Sequence, residues 1–184
     1  KGLIAGIRSR EGIRLPLEFL NMDIQTLRTK YPAFDAIYTL AESERGHGKQ
    51  FRNDRKTPYM FHIDSVILGT LNLLHEPGFH LTSWVEPYLC VAVSHDLKED
   101  CKITEYEIKA LIRGKLPHGD ENLVLDAIDA ITKKPKGEEE YINYLFRVGK
   151  NPLSRMVKRA DLIHNMSDIK PCNLLDKYSV SLWF

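Results

Sequence analysis

Tyr88-Leu89-Cys90-Val91-Ala92-Val93 is apolar nearly all round, and it gives way at once to Ser94-His95-Asp96-Leu97-Lys98-Glu99-Asp100. A helix without a polar face has to be buried. The run therefore predicts a central helix, opened by Pro87 and extending over Tyr88 to Asp100. His95 and Glu99 are four apart in it, as are Asp96 and Asp100. Residues so spaced lie about 6 Å apart on one helix face. One imidazole and three carboxylates then crowd the end of a buried helix. Carboxylates that close repel one another. A divalent cation would relieve the repulsion and accept the imidazole as a further ligand. A solvated helix end of mixed charge is the plainer alternative. It explains neither the place of the cluster after a buried run nor its pairing.

Around this segment the apolar spacing is helical throughout. Phe34, Ile37, Tyr38 and Ala41 predict a helix from Tyr31 to Arg45. Met60, Ile63, Ile67, Leu71 and Leu74 share a face of a second, over Tyr59 to Leu74, stopped by Glu76-Pro77-Gly78. Thr104 and Glu107 form a capping box that opens a helix to about Arg113. Glu121 to Ile131 is another, with Leu123, Ala127, Ile128 and Ile131 inward. Glu138 to Val148 follows, then a long helix from Pro152 to about Ile169, closed by Pro171. Gly46 to Pro58 and Thr132 to Gly137 are loops. With roughly seven helices and no convincing strand, the expected fold is an all-α, compact multi-helix bundle. Residues 1–30 stay unassigned as an N-terminal segment, and 31–184 form a single domain, since about 150 residues per domain is the usual scale.

Composition narrows the function. Lys and Arg number 26 and Asp and Glu 25, a net charge of +1. That balance, with no basic-aromatic stripe, argues against nucleic acid as partner. No apolar stretch is long enough to span a membrane, and Lys1 to Arg8 are too short in apolar residues for a signal peptide. Cys90, Cys101 and Cys172 form no CxxC pair and read as small apolar residues. The odd count fits a reducing, cytoplasmic setting.

Two other segments can complete a site. His62 sits on an otherwise apolar helix face, and Asp161 and Asn165 are four apart near the end of the last helix. Taken singly, His62 reads as a core histidine and Asp161 as a partner of Lys158 or Arg159. If helix packing brings His62, His95, Asp96 and Asp161 together, two imidazoles and two carboxylates converge. Such a set suits Mn²⁺, Fe²⁺, Co²⁺, Ni²⁺ or Zn²⁺ better than Mg²⁺.

Four blocks occur in an order that resembles the HD superfamily of metal-dependent phosphohydrolases. The likeness is narrowest to the hydrolase domain of RelA/SpoT-type (p)ppGpp pyrophosphohydrolases and their small single-domain relatives. The first block is His47-Gly48-Lys49-Gln50-Phe51-Arg52 with Lys56-Thr57-Pro58-Tyr59-Met60-Phe61-His62. The second is Ser94 to Asp100, with the Glu99-Asp100 pair that marks the subgroup. The third is Ala130-Ile131-Thr132-Lys133, and the last runs from Lys158 to Met166. The resemblance implies His62, His95, Asp96 and Asp161 as metal ligands, with Mn²⁺ foremost, and Glu99 and Asp100 as the acid/base pair. It implies Arg52 at the purine, Asn165 at the ribose or phosphate, and Tyr59 lining the pocket. The implied substrate is a small-molecule nucleotide, guanosine 3′,5′-bis(diphosphate), cleaved at its 3′-pyrophosphate. Lys133, Lys158 and Arg159 offer positive charge for such a polyanion, whereas Lys134 and Lys136 read as solvated surface. His164 reads as a residue that orients a ligand or packs a helix. The chain departs from the family pattern at Asn53, Ile63 and Leu162, where a basic residue, a proline and an arginine are usual. Those departures keep open an HD phosphatase on another nucleotide and a non-catalytic nucleotide sensor.

Overall fold

Helix α3, Tyr59–Leu74, packs along α9, Pro152–Ser167, and both lie against α4, Val85–Ser94. The computed structural model describes residues 22–74, 85–116 and 120–167. Within them the chain is an all-α bundle, and the only strand-like feature is an isolated bridge between Phe51 and Pro58. The remaining helices are α1 (Ile24–Lys30), α2 (Pro32–Glu42), α5 (Leu97–Asp100), α6 (Glu105–Ile112), α7 (Glu121–Ile131) and α8 (Tyr141–Lys150). No helix among the described residues is long and apolar enough to cross a membrane.

α4 is the central element that its composition demands, with every residue but Tyr88 buried. Its third residue is Pro87, where a missing N–H costs nothing because no carbonyl precedes it in the helix. Glu86 is buried for a reason outside its own helix. Its Oε1 accepts from the backbone N–H groups of Ala33 and Phe34, at 2.7 and 3.3 Å. The carboxylate thus caps α2, whose own N-cap residue, Tyr31, supplies no side-chain bond.

The predicted continuous helix over Tyr88 to Asp100 is broken at His95 and Asp96, and α5 resumes as a single turn. Side chains compete for the carbonyls of the last turn. Ser94 Oγ donates to Cys90 O at 2.7 Å, and the His95 ring bonds Ala92 O at 2.8 Å. His95 and Glu99 therefore do not share one regular helix face.

Several other boundaries move. α1 falls inside the unassigned N-terminal stretch, capped by Asp23 onto Thr26 N (2.8 Å) and anchored by fully buried Leu27. α6 begins with the predicted capping box: Thr104 Oγ1 accepts from Glu107 N, and Glu107 Oε2 accepts from Thr104 N at 2.8 Å. In α7 the inward stripe is Val124, Ala127, Ile128 and Ile131. Leu123, predicted inward, is 42 % exposed because it lies one residue off that stripe. α8 starts at Tyr141 rather than Glu138, after a turn in which Gly137 adopts a positive φ of 95°. Cys90 is buried as predicted, while Cys101 is only partly so. The predicted stops at Glu76-Pro77-Gly78 and Pro171, together with Cys172, lie outside the described residues.

Candidate metal centre

Two helices and the break between α4 and α5 bring His62, His95 and Asp96 together, with Asp161 beside the two histidines. α3 carries His62 at its first turn, the break after α4 carries His95 and Asp96, and α9 carries Asp161. His62 Nε2 and His95 Nε2 are 3.3 Å apart. Asp96 Oδ2 lies 3.0 Å from His95 Nε2 and 3.6 Å from His62 Nε2. Asp161 Oδ1 lies 3.3 and 3.9 Å from the same two nitrogens. Both histidines and Asp161 are buried, and one ligand atom each from His62, His95 and Asp96 falls within 4.8 Å of the others.

Hydrogen bonds behind the ligands set their orientation. The His95 Nδ1 faces the Ala92 carbonyl, which can only accept, so Nδ1 carries a hydrogen and Nε2 faces the cluster. His62 Nδ1 meets His164 Nδ1 at 2.8 Å, so His164 stands behind the first ligand. Asn165 Nδ2 donates to Asp161 Oδ1 at 2.6 Å, and Lys158 Nζ donates to Oδ2 at 2.7 Å. The Tyr59 hydroxyl is 2.6 Å from Asp96 Oδ2 and 3.1 Å from Asp100 Oδ2. Bonds of this kind fix the tautomer and rotation of metal ligands.

The charges are strongly coupled. Burial alone would discharge His95, but Asp96 and Asp161 outweigh it and lift its pKa to about 9. Burial likewise opposes the Asp161 carboxylate, yet Lys158 and His62 hold it well below the usual carboxylate range. Asp96 is kept low in the same way, against burial, by His95 and His62. Burial would also lower Lys158, and Asp161 more than offsets it. The cluster thus attracts positive charge, and the proton on His95 Nε2 sits where a cation would compete for it. The donor set, two imidazoles and two carboxylates with their outer faces already bonded, fits a divalent cation of the Mn²⁺ to Zn²⁺ series.

The remaining predicted site residues separate into two groups. Asp100 joins the cluster through Tyr59. Glu99 turns the other way: its Oε1 accepts from the backbone N–H of Lys133 at 2.6 Å and its Oε2 from Lys133 Nζ at 3.1 Å. Arg52, assigned by resemblance to the purine, donates instead to Asn165 Oδ1 at 2.8 Å, with its guanidinium 5.7 Å from the Tyr59 ring centroid. Asn165 thereby lies between Arg52 and Asp161. Lys158, assigned to substrate, is the buried counter-ion of Asp161, the pairing that the residue types alone had allowed.

Two contributors lie outside the predicted set. Arg147 donates to the carbonyls of Asp129, Ala130 and Thr132, at 2.6, 2.8 and 3.0 Å, and closes the C-terminus of α7. That bond set holds the Thr132–Lys133 turn against Glu99. His47 is fully buried and stacks on Tyr59. An arginine on an amphipathic helix gives no local signal of a role on another helix. His47, between two glycines in a polar loop, gives only a weak one.

No family model matches this chain, and no curated protein matches it either.

Proposed function

We propose that the chain is a metal-dependent phosphohydrolase of the HD type, acting on a nucleotide, with guanosine 3′,5′-bis(diphosphate) as substrate and its 3′-pyrophosphate as the group removed. The observation that carries this reading is that the Asp96 and Asp161 carboxylates lie 3.0 to 3.9 Å from the Nε2 atoms of His62 and His95, which are themselves 3.3 Å apart. Burying so many ionisable groups together is costly even when they are paired, and such clusters are candidate sites for a bound charge.

A divalent cation held by these four residues would supply Lewis acidity and bring the pKa of a water toward neutrality. The chain's own groups account for the remainder. Water oxygen forms a bond to phosphorus, the bond to the ribose 3′-oxygen breaks, and one proton passes from the water to that oxygen. Asp100 is the favoured acceptor in transit. Both oxygens of Glu99 already accept from Lys133, whereas Asp100 Oδ2 faces the cluster beside the Tyr59 hydroxyl. Tyr59 keeps its proton, because burial and the neighbouring carboxylates push its pKa far up, so it serves as a donor to Asp96. Lys133, half-exposed at its side chain and paired with Glu99, offers positive charge for a phosphate.

The test is release of pyrophosphate from ppGpp with Mn²⁺, beside EDTA and an Asp96→Ala variant. Metal-dependent release that both controls abolish supports site and substrate together. Metal bound without release keeps the centre and moves the substrate to another nucleotide phosphate. That second reading draws on Arg52, which is engaged by Asn165 rather than free for a purine.

A further inference from the structure

The loop between α2 and α3 brings a fully buried imidazole beneath the site. Gly46 and Gly48 allow this. A Cβ on Gly46 would run into the carbonyls of Leu40 and Ala41, and one on Gly48 into those of Glu42 and Ser43. The turn therefore lies directly on the end of α2, tied by His47 N to Ala41 O at 2.6 Å. Its return segment is tied to the start of α3 by Tyr59 N to Gln50 O at 2.8 Å.

Between these ties His47 is held from three sides. Its Nδ1 faces Gln50 Oε1 at 2.8 Å; the amide oxygen can only accept, so the imidazole donates. On the same ring edge it meets Cys101 Sγ, 3.5 Å from Nδ1 and 3.7 Å from Nε2. Its ring lies almost parallel to Tyr59, with centroids 4.5 Å apart and planes 15° apart. Tyr59 meets His62 edge-on at its opposite contact, with centroids 5.5 Å apart and planes 77° apart. The phenol oxygen at the end of that ring is the one that bonds Asp96 and reaches Asp100. No ligand atom touches His47, and nothing in the resemblance assigns it a role.

From this we infer that His47 is a positioning residue: its stack fixes the plane of Tyr59, and through the Tyr59 hydroxyl it sets the rotation of Asp96 and the reach of Asp100. The inference rests on the metal reading above, because Asp96 matters as a ligand. A phenol freed to rotate about its Cα–Cβ bond would leave Asp96 without its second partner. Outer partners of this kind typically change metal affinity or activity about 10- to 100-fold.

The experiment is a double-mutant cycle in the full chain, read by Mn²⁺ affinity and by thermal midpoint in EDTA. The variants are His47→Ala, His47→Phe, Tyr59→Phe and the double variant His47→Ala/Tyr59→Phe. His47→Ala should weaken Mn²⁺ binding about 10-fold. His47→Phe, which restores a ring to stack on, should recover most of that loss even though its bond to Gln50 is gone. Tyr59→Phe should weaken binding by a similar factor, and adding His47→Ala to it should cost no further affinity. Losses that multiply in the double variant would overturn the inference, as would a phenylalanine no better than the alanine. Should His47→Ala fail to fold, the comparison of His47→Phe with Tyr59→Phe decides: affinity retained in the first and lost in the second supports it, and equal loss sinks it. A wild-type protein that binds no Mn²⁺ removes the metal reading and this inference with it, whereas a binding wild type with indifferent His47 variants removes the inference alone.

Discussion

Arg52 and Asn165 are 113 positions apart in the chain, yet Arg52 Nη2 is 2.8 Å from Asn165 Oδ1. The same asparagine then donates to Asp161 Oδ1 at 2.6 Å, the oxygen that faces His62. The first-block loop and the last helix are thus joined at Asn165, which also holds a metal-ligand candidate. Asn165→Ala removes a hydrogen bond to that oxygen and should weaken Mn²⁺ binding about 10-fold. Arg52→Ala acts one bond further out and should cost less. Calorimetric titration of the two variants with Mn²⁺ checks the order, and equal or reversed losses would contradict it.

Protons should compete with the metal. The His95 pKa of about 9 means that loading the centre at neutral pH displaces a proton from Nε2. Apparent affinity should rise about tenfold per pH unit between roughly 7 and 9, and then level. In EDTA the sign reverses. A histidine whose folded pKa exceeds its unfolded value stabilises the fold most below about 6.5, and that contribution is lost as pH rises through 9. Melting curves from pH 7 to 9.5, with and without Mn²⁺, should therefore diverge. Parallel curves would count against a cation in contact with His95.

Lys158 and Asp161 form a buried pair, with side chains 12 % and 5 % exposed. Removing one partner strands the other charge. Lys158→Met should lower stability by about 3 kcal/mol in EDTA. A cation bound at Asp161 should restore part of it. Urea unfolding in the two conditions tests this, and a loss unaffected by Mn²⁺ would mean that Asp161 does not face the metal.

Asp100 and Glu99 should separate in kinetics. Asp100→Asn should abolish most turnover, since it removes the carboxylate beside Tyr59. Glu99→Gln keeps an acceptor for Lys133 and should retain more activity. Single-turnover rates with ppGpp decide, and a Glu99→Gln rate below that of Asp100→Asn would reverse the assignment.

Thr104→Ala provides a contrast. It breaks the capping box of α6, which carries none of the candidate ligands, and should cost about 1 kcal/mol of stability. Mn²⁺ affinity should stay as in the wild type. A change in affinity would mean that the centre senses α6 through the Arg45–Glu107 pair beside the His47 loop.

Local pattern was enough for α3 and for the start of α9, the helices that carry His62 and Asp161. α3 matches its periodic segment from Tyr59 to Leu74, because one apolar face repeated over several turns has a single consistent period. The α6 capping box is legible because both of its members lie within one turn. α1 was missed because seven residues with one buried leucine carry almost no periodic signal. The break at His95–Asp96 was missed because hydropathy does not register side chains competing for the carbonyls of their own helix.

Residue types and spacing therefore specify an all-α chain and single out His62, His95, Asp96 and Asp161 as groups able to meet. Helical period and polar groups on apolar faces are local properties, written in neighbouring residues. Which partner each group takes is settled only in three dimensions. Lys158 goes to Asp161, Arg52 to Asn165, Glu99 to Lys133, and His47 to Tyr59. Hydrogen bonds and ion pairs act over about 3 Å, a distance that sequence separation does not encode.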